Sequence, residues 1–211
     1  MPPKINLEYD HLYHIFNCGN NRRKIFFEET NYHYFLNLYF KHIPPIAKTF
    51  AYALLPDHFH FVVAIRNEKE VPSKYNSPPK LSKPFANMFN AYAKAMNKRY
   101  RMVSSLFEDR FERVPLNDDN HFTHVIPYVH SNPQKHKIVE DFRTYQFTSY
   151  PDFLNGESRK LEYDEVINWF GGKEKFVERH DQVFKDLRAA ADLRGFQNLG
   201  DLAPLDEPEG C

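Results

Sequence analysis

Apolar residues fall in short blocks whose spacing changes along the chain, and the spacing predicts the elements. Leu12 to Phe16 (Leu-Tyr-His-Ile-Phe) reads as a strand, and the polar, basic run Asn17 to Lys24 as the turn or loop after it. Tyr34, Phe35, Leu38 and Tyr39 recur at helical spacing, so a helix is expected over 31–42, capped by Thr30 and stopped by Pro44-Pro45. Thr49 to Leu55 and Phe59 to Ile65 read as two strands joined in a hairpin at Pro56-Asp57. Residues 67–84 are charged, rich in Pro and Ser and without period, which predicts a flexible basic loop. Pro84 to Arg99 bears Phe85, Met88, Phe89, Tyr92 and Met96 on one helical face. Leu106 to Leu116 reads as a fourth strand containing Arg110 and Arg113. Asp118 or Asp119 starts another helix, expected to end near Ser131 because Pro133 disfavours helical geometry at Asn132.

The order β-α-β-β-α-β, then a helix, predicts an α+β fold: a ferredoxin-like or RRM-like antiparallel sheet with helices on one face and an open face for a ligand. Beyond it, Tyr145 to Leu154 is aromatic and turn-rich, and Tyr163 to Phe170 and Lys173 to Leu193 read as amphipathic acidic helices. We therefore expect a domain over 1–155 and a helical acidic extension over 156–211, with a disordered tail in the last dozen residues. There is no internal repeat.

Within the hairpin, the run Ala53-Leu-Leu-Pro-Asp-His-Phe-His-Phe-Val-Val-Ala-Ile65 carries two imidazoles two residues apart. Strand side chains alternate faces, so His58 and His60 point one way while Phe59, Phe61, Val63 and Ile65 form an apolar face on the other. Such a pair is a workable bite for one divalent metal ion above a packed sheet. Such a pair in a strand is more often two half-buried, hydrogen-bonded histidines, and the motif alone favours that reading; a metal site needs a third ligand and chemistry nearby.

Charge narrows the reading. The formal net charge is zero over 211 residues. Residues 1–135 hold 18 Lys+Arg against 12 Asp+Glu, and 136–211 hold 10 against 16, so the halves are +6 and −6. Within 66–101 the ratio is 9 to 2. A basic segment beside an acidic tail suggests a local polyanion site, with a solvated helix face as the alternative. No run is long and apolar enough for a bilayer span or a signal sequence, and Cys18 and Cys211 make neither a disulfide framework nor a zinc spacing. A soluble, reduced, cytoplasmic protein is expected.

The helix after the fourth strand contains Tyr128-Val-His-Ser-Asn132-Pro133. Tyr128 and Asn132 are four apart and share a helical face. Asn132 offers a carbonyl oxygen suited to Mg²⁺ or Mn²⁺, and Tyr128 a phenolic oxygen able to act as a nucleophile. Taken alone, a core tyrosine and a helix-stop asparagine are the better explanation of them.

Five segments occur in order: Tyr13-His-Ile-Phe-Asn-Cys-Gly-Asn-Asn-Arg22, Leu55-Pro-Asp-His-Phe-His60, Leu106-Phe-Glu-Asp-Arg-Phe111, Tyr128-Val-His-Ser-Asn-Pro133 and Thr148-Ser-Tyr150. Together they resemble the HUH-type single-tyrosine transposases of small insertion sequences, and most closely their REP-associated branch, over residues 10–155. The resemblance implies cutting of single-stranded DNA beside a hairpin, through a 5′-phosphotyrosine link and a free 3′-hydroxyl that can reverse the reaction. Matched by position, it implies Tyr128 as nucleophile, His58 and His60 as paired metal ligands and Asn132 as the third, with Mg²⁺ or Mn²⁺ as cofactor and the chain acting as a monomer or homodimer. Gln134 is a rival third ligand, and Pro127 would kink the helix unless it lies near the first turn. The sequence names no general base.

Arg22, Arg23 and Lys24 after the first strand, Lys94, Lys98, Arg99 and Arg101 on or after the second long helix, and Arg110 are the candidate DNA contacts. Two rival readings stand beside the transposase. One is a non-catalytic single-stranded nucleic-acid-binding module that stacks bases on Tyr13 or Phe16. The other is a metal-dependent phosphodiesterase that uses water.

Overall fold

The computed structural model describes residues 6–108, 110–116, 122–156 and 160–196. Four strands, β1 (Leu12–Cys18), β2 (Ala47–Leu54), β3 (His58–Ile65) and β4 (Glu112–Leu116), form one sheet in the order β2-β3-β1-β4. Every neighbouring pair is antiparallel. The α+β, ferredoxin-like order expected from the sequence is what the chain adopts.

The pleat of β3 organises both faces. Phe59 and Phe61 face α1 (Glu29–His42) and α3 (Lys83–Tyr100). Tyr39 stacks on Phe61 with ring centroids 3.9 Å apart, Phe35 meets Phe59 at 5.1 Å, and Phe89 meets Phe59 at 5.2 Å. These rings are buried and form the main core. The opposite face carries His58, His60 and Val62, with Phe16 paired to His60 and Cys18 to His58 on β1. It is not open along its length: α4 (Phe122–Lys135) packs across β2 and β3.

Local chemistry accounts for where several boundaries differ from expectation. The cap of α1 is Glu28, in a reciprocal box with Asn31, whose Oδ1 accepts from the Glu28 and Phe27 amides. Thr30 lies inside the first turn and its hydroxyl donates to the Glu28 carboxylate at 2.7 Å. The fourth strand begins at Glu112 rather than Leu106. Gly19 bridges Phe107, yet Phe16 pairs with Glu112, so five steps on one side match three on the other and the excess loops out with Arg110. In the 67–84 segment, Val71 and Leu81 are buried and anchor a tight turn at Ser73–Tyr75 and a short helix, α2 (Pro78–Leu81), where a flexible loop was expected.

The helix expected to stop near Ser131 continues through Pro133 to Lys135. Pro133 removes the N–H that would bond Val129 O, and the Asn132 side-chain amide reaches that carbonyl at 3.4 Å and Tyr128 O at 3.0 Å. Its expected start at Asp118 or Asp119 lies outside the described residues, as does the expected disordered tail.

After α4 come α5 (Tyr150–Asn155), α6 (Tyr163–Phe170) and α7 (Lys173–Phe196). The outer edge of β2 is covered by the segment before α5, where Leu54 N–H donates to Phe147 O at 2.9 Å and Ser149 N–H to Tyr52 O at 3.0 Å. The second acidic helix, α7, packs on α4. Among the described residues, no helix is long and apolar enough to cross a membrane.

Because Phe35 is fully buried among Phe59, Phe61 and Tyr92, Phe35→Ala should destabilise the fold by about 3–5 kcal/mol. Exposed Tyr34→Ala, one residue away, should cost under about 1 kcal/mol. Urea unfolding of the two variants checks this; equal costs would contradict the core assignment.

Candidate active site

Both histidines of the pair are buried, and each has one ring nitrogen engaged. His58 Nδ1 lies 2.7 Å from Asp57 Oδ1, and that hydrogen bond is the main reason the Asp57 carboxyl sits below its ordinary range. An ionised carboxylate only accepts, so His58 carries its proton on Nδ1 and turns the Nε2 lone pair inward. His60 Nδ1 lies 2.9 Å from Nε2 of His14, a buried ring on β1. Burial pushes His14 down to about 4 and lowers His60 strongly, the neighbouring imidazoles adding to the effect on His60. His14 and His60 are therefore held neutral by desolvation.

His58 Nε2 and His60 Nε2 have no hydrogen-bond partner among the described residues, and neither does Asn132 Oδ1. All three atoms are buried. Asn132 spends its amide N–H groups on Tyr128 O and Val129 O, which leaves the carbonyl oxygen as the unspent end. A buried acceptor without a donor costs on the order of 1–3 kcal/mol. Two imidazole nitrogens and one amide oxygen left in this state form a donor set that suits a divalent cation. No cluster of three or more His, Cys, Asp or Glu with metal-binding geometry occurs among the described residues, so a site here has to draw on a neutral amide.

The helix aligns its own groups over this pair. The Tyr128 ring meets His14 edge-on at 6.2 Å and His60 at 6.4 Å between centroids. Two turns later the His136 ring lies 4.5 Å from His58, with its amide bonded to Asn132 O at 2.9 Å. Residues 128, 132 and 136 form an i, i+4, i+8 stripe, so Asn132 falls between the two contacts. Lys135 sets its Nζ 3.7 Å from the centre of the Tyr128 ring. Gln134, the rival third ligand, accepts from the Phe142 amide at 3.2 Å and is thereby turned to that turn. Pro127 lies within α4, past its first described turn.

His14, His136 and Lys135 were not singled out from the sequence. The available signals were the spacing of Lys135 and His136 from Tyr128, seven and eight residues, and the alternation that puts His14 on the same strand face as Phe16. Other tyrosines are elsewhere: Tyr92 is buried and donates to Ile25 O at 2.7 Å, and Tyr100 donates to Asn31 Oδ1 at 3.0 Å. Tyr13 and Phe16 are buried, so neither is available to stack bases as the binding-module reading requires.

The basic residues gather near the same end of the sheet. The turn after β1 is pinned to the residues before His58, with Gly19 N–H donating to Asp57 O at 2.7 Å and Ile25 N–H to Pro56 O at 2.7 Å. Gly19 is required there: a Cβ would stand 1.9 Å from Arg23 O. Arg23 donates to Ser104 Oγ at 2.7 Å and to the Ser105 carbonyl, and Asn97 Nδ2 reaches Ser104 O at 3.2 Å. These bonds tie the Arg22–Lys24 turn to the end of α3. Arg22, Lys24, Lys94, Lys98, Arg101 and Arg110 are exposed. Arg99 is exposed but paired with Glu28, and Arg23 is committed to its serine contacts.

No model of a known protein family and no curated protein matches the chain. Among solved structures, the chain is similar to a REP-associated tyrosine transposase bound to a REP hairpin. The match covers 74% of this chain and 85% of that chain, with a TM-score of 0.55 and 15% sequence identity. That likeness shows that the two chains share a fold.

Proposed function

We propose that this protein is a metal-dependent enzyme that nicks and rejoins single-stranded DNA beside hairpins, with Tyr128 as nucleophile. The observation that carries the reading is the trio of buried atoms without a hydrogen-bond partner among the described residues, His58 Nε2, His60 Nε2 and Asn132 Oδ1, on the side of the sheet that Tyr128 covers. Held by those three atoms, Mg²⁺ or Mn²⁺ would supply a Lewis acid for the scissile phosphate. The shared fold supports the reading, and the REP hairpin bound to that other protein supports hairpin DNA as the partner here.

In this reading the Tyr128 oxygen bonds to phosphorus and the bond to the 3′ oxygen breaks. The protein keeps the 5′ end as a phosphotyrosine, and the proton lost from the phenol is balanced by the one gained by the 3′ oxygen. Asp57 holds the tautomer of His58 and His14 holds the ring of His60, so the two rings are in place before substrate arrives. Lys135, over the Tyr128 ring, adds positive charge where the transferred phosphate gathers negative charge. Arg22, Lys24, Lys98 and Arg101 bind backbone phosphates. Tyr128 lies beside His14 and His60 of its own chain, and in this reading one chain supplies every named group. In this reading residues 1–155 are the nuclease domain and 156–211 an extension, of which the described helix α7 packs on α4.

Incubation with labelled single-stranded hairpin DNA from the flanks of the gene and Mg²⁺ should yield a covalent adduct on a denaturing gel. Tyr128→Phe should abolish the adduct while folding and hairpin binding persist. Cleavage by that variant would favour the water-using phosphodiesterase, and binding without cleavage by either protein would favour the binding module.

The double variant His58→Ala/His60→Ala should lower cleavage by at least about 100-fold and retain most DNA affinity. Full activity in EDTA would overturn the metal assignment.

Phosphate contacts release counterions, so affinity should fall steeply with salt. Replacing Lys98 and Arg101 with Gln should flatten the log–log salt slope by about 1.4, at about 0.7 per lost single-strand contact. Adding Arg99→Gln should change it less, because Arg99 is already paired with Glu28. An unchanged slope would make these residues a solvated face only.

A further inference from the structure

His130 follows Tyr128 by two residues and so projects from the far side of α4, about 200° around the helix axis. There it enters a buried chain of hydrogen bonds that joins α7 to β2. His180 Nδ1 lies 2.7 Å from Phe176 O, and His180 Nε2 lies 2.9 Å from His130 Nδ1. His130 Nε2 lies 2.7 Å from Ser149 Oγ, which accepts from the Tyr52 amide of β2 at 2.9 Å. His130, Ser149 and His180 are each 0% exposed.

One proton arrangement satisfies this chain. Phe176 O only accepts, so His180 holds its proton on Nδ1 and presents a lone pair at Nε2. His130 must then donate from Nδ1 and accept at Nε2, and Ser149 must donate its hydroxyl proton to His130. Both rings are neutral, because burial lowers His130 strongly and His180 to about 4. The surroundings are apolar rings, Tyr150, Phe153 and Phe176 among them. Apolar side chains would fill that space at less desolvation cost, but they would not fix direction as a satisfied polar network does.

We propose that this chain is a positioning device, through which the C-terminal extension sets the rotation of α4 and with it the placement of Tyr128 and Asn132 over the histidine pair. His130, Ser149 and His180 are positioning residues, and the extension belongs to the working site. The functional reading above supplies only the identity of what is positioned. Side-chain tips ride about 5–6 Å from a helix axis, so a 10° rotation moves them by about 1 Å. A shift of that size is enough to cost on the order of 100-fold in a positioned reaction.

The test uses the full chain with His180→Leu, His180→Gln and Ser149→Ala. Two quantities are read: amide hydrogen exchange across residues 126–132, and Mn²⁺ affinity by calorimetry. His180→Leu leaves His130 Nδ1 without its acceptor and should speed exchange in α4 and weaken Mn²⁺ binding, each by about tenfold. His180→Gln, which keeps an acceptor, should recover most of both. Ser149→Ala breaks the far end of the chain with a small volume change, and should reproduce the α4 effect even where His180→Leu folds poorly. Faster exchange confined to α7 or β2, with Mn²⁺ affinity within about twofold of the parent, would overturn the proposal. If the parent protein binds no Mn²⁺, the exchange data alone decide the positioning role, and the metal reading fails separately.

Discussion

The pleat of β3 is the constraint on which the molecule depends. A central strand buried on both faces must sort its side chains by parity, and here parity sorts them by chemistry. Phe59 and Phe61 supply the apolar side that α1 and α3 close, while His58 and His60 supply a polar side beneath α4. A one-residue slip in register would exchange the two sets and lose the core and the site together. The strong packing of one face therefore also fixes the geometry of the other.

Burying imidazoles is unfavourable unless their nitrogens are used. Asp57 takes one from His58, and His14 takes one from His60. What is left over is directional: one nitrogen of each ring and the Asn132 oxygen have no partner among the described residues, on the side that α4 covers. Elsewhere in the chain, buried histidines such as His130 and His180 have both nitrogens satisfied. The contrast within one protein separates histidines with both nitrogens bonded from histidines that keep one nitrogen without a partner among the described residues.

The helix over the site is an uncommon one, with Pro127 and Pro133 both inside it. Each proline deletes a backbone donor, so α4 relies on side chains and neighbours more than an ordinary helix does. Asn132 covers the carbonyl that Pro133 leaves open and, by doing so, aims its own oxygen. On its far side, α4 is held through His130 by α7 and by the segment before α5. The basic turn after β1 is likewise tied to the Pro56-Asp57 turn and to the end of α3, so the cationic residues gather near the histidine end of the sheet.

Short-range pattern determined much of this from the sequence alone. Alternation in 53–65 put His58 and His60 on one face, helical spacing put Tyr128 and Asn132 on another, and the order of blocks predicted the sheet. These are properties of the local period, which neighbouring residues carry in full. Tertiary structure decided what depends on partners distant in the chain. It paired His14 with His60 across 46 residues and His130 with His180 across 50, and it brought His136 to His58. It turned Gln134 to Phe142, committed Arg99 to Glu28, buried Tyr13 and Phe16, and carried α4 through Pro133. Hydrogen-bond partnership and desolvation arise only once separate elements pack, so no local period encodes them.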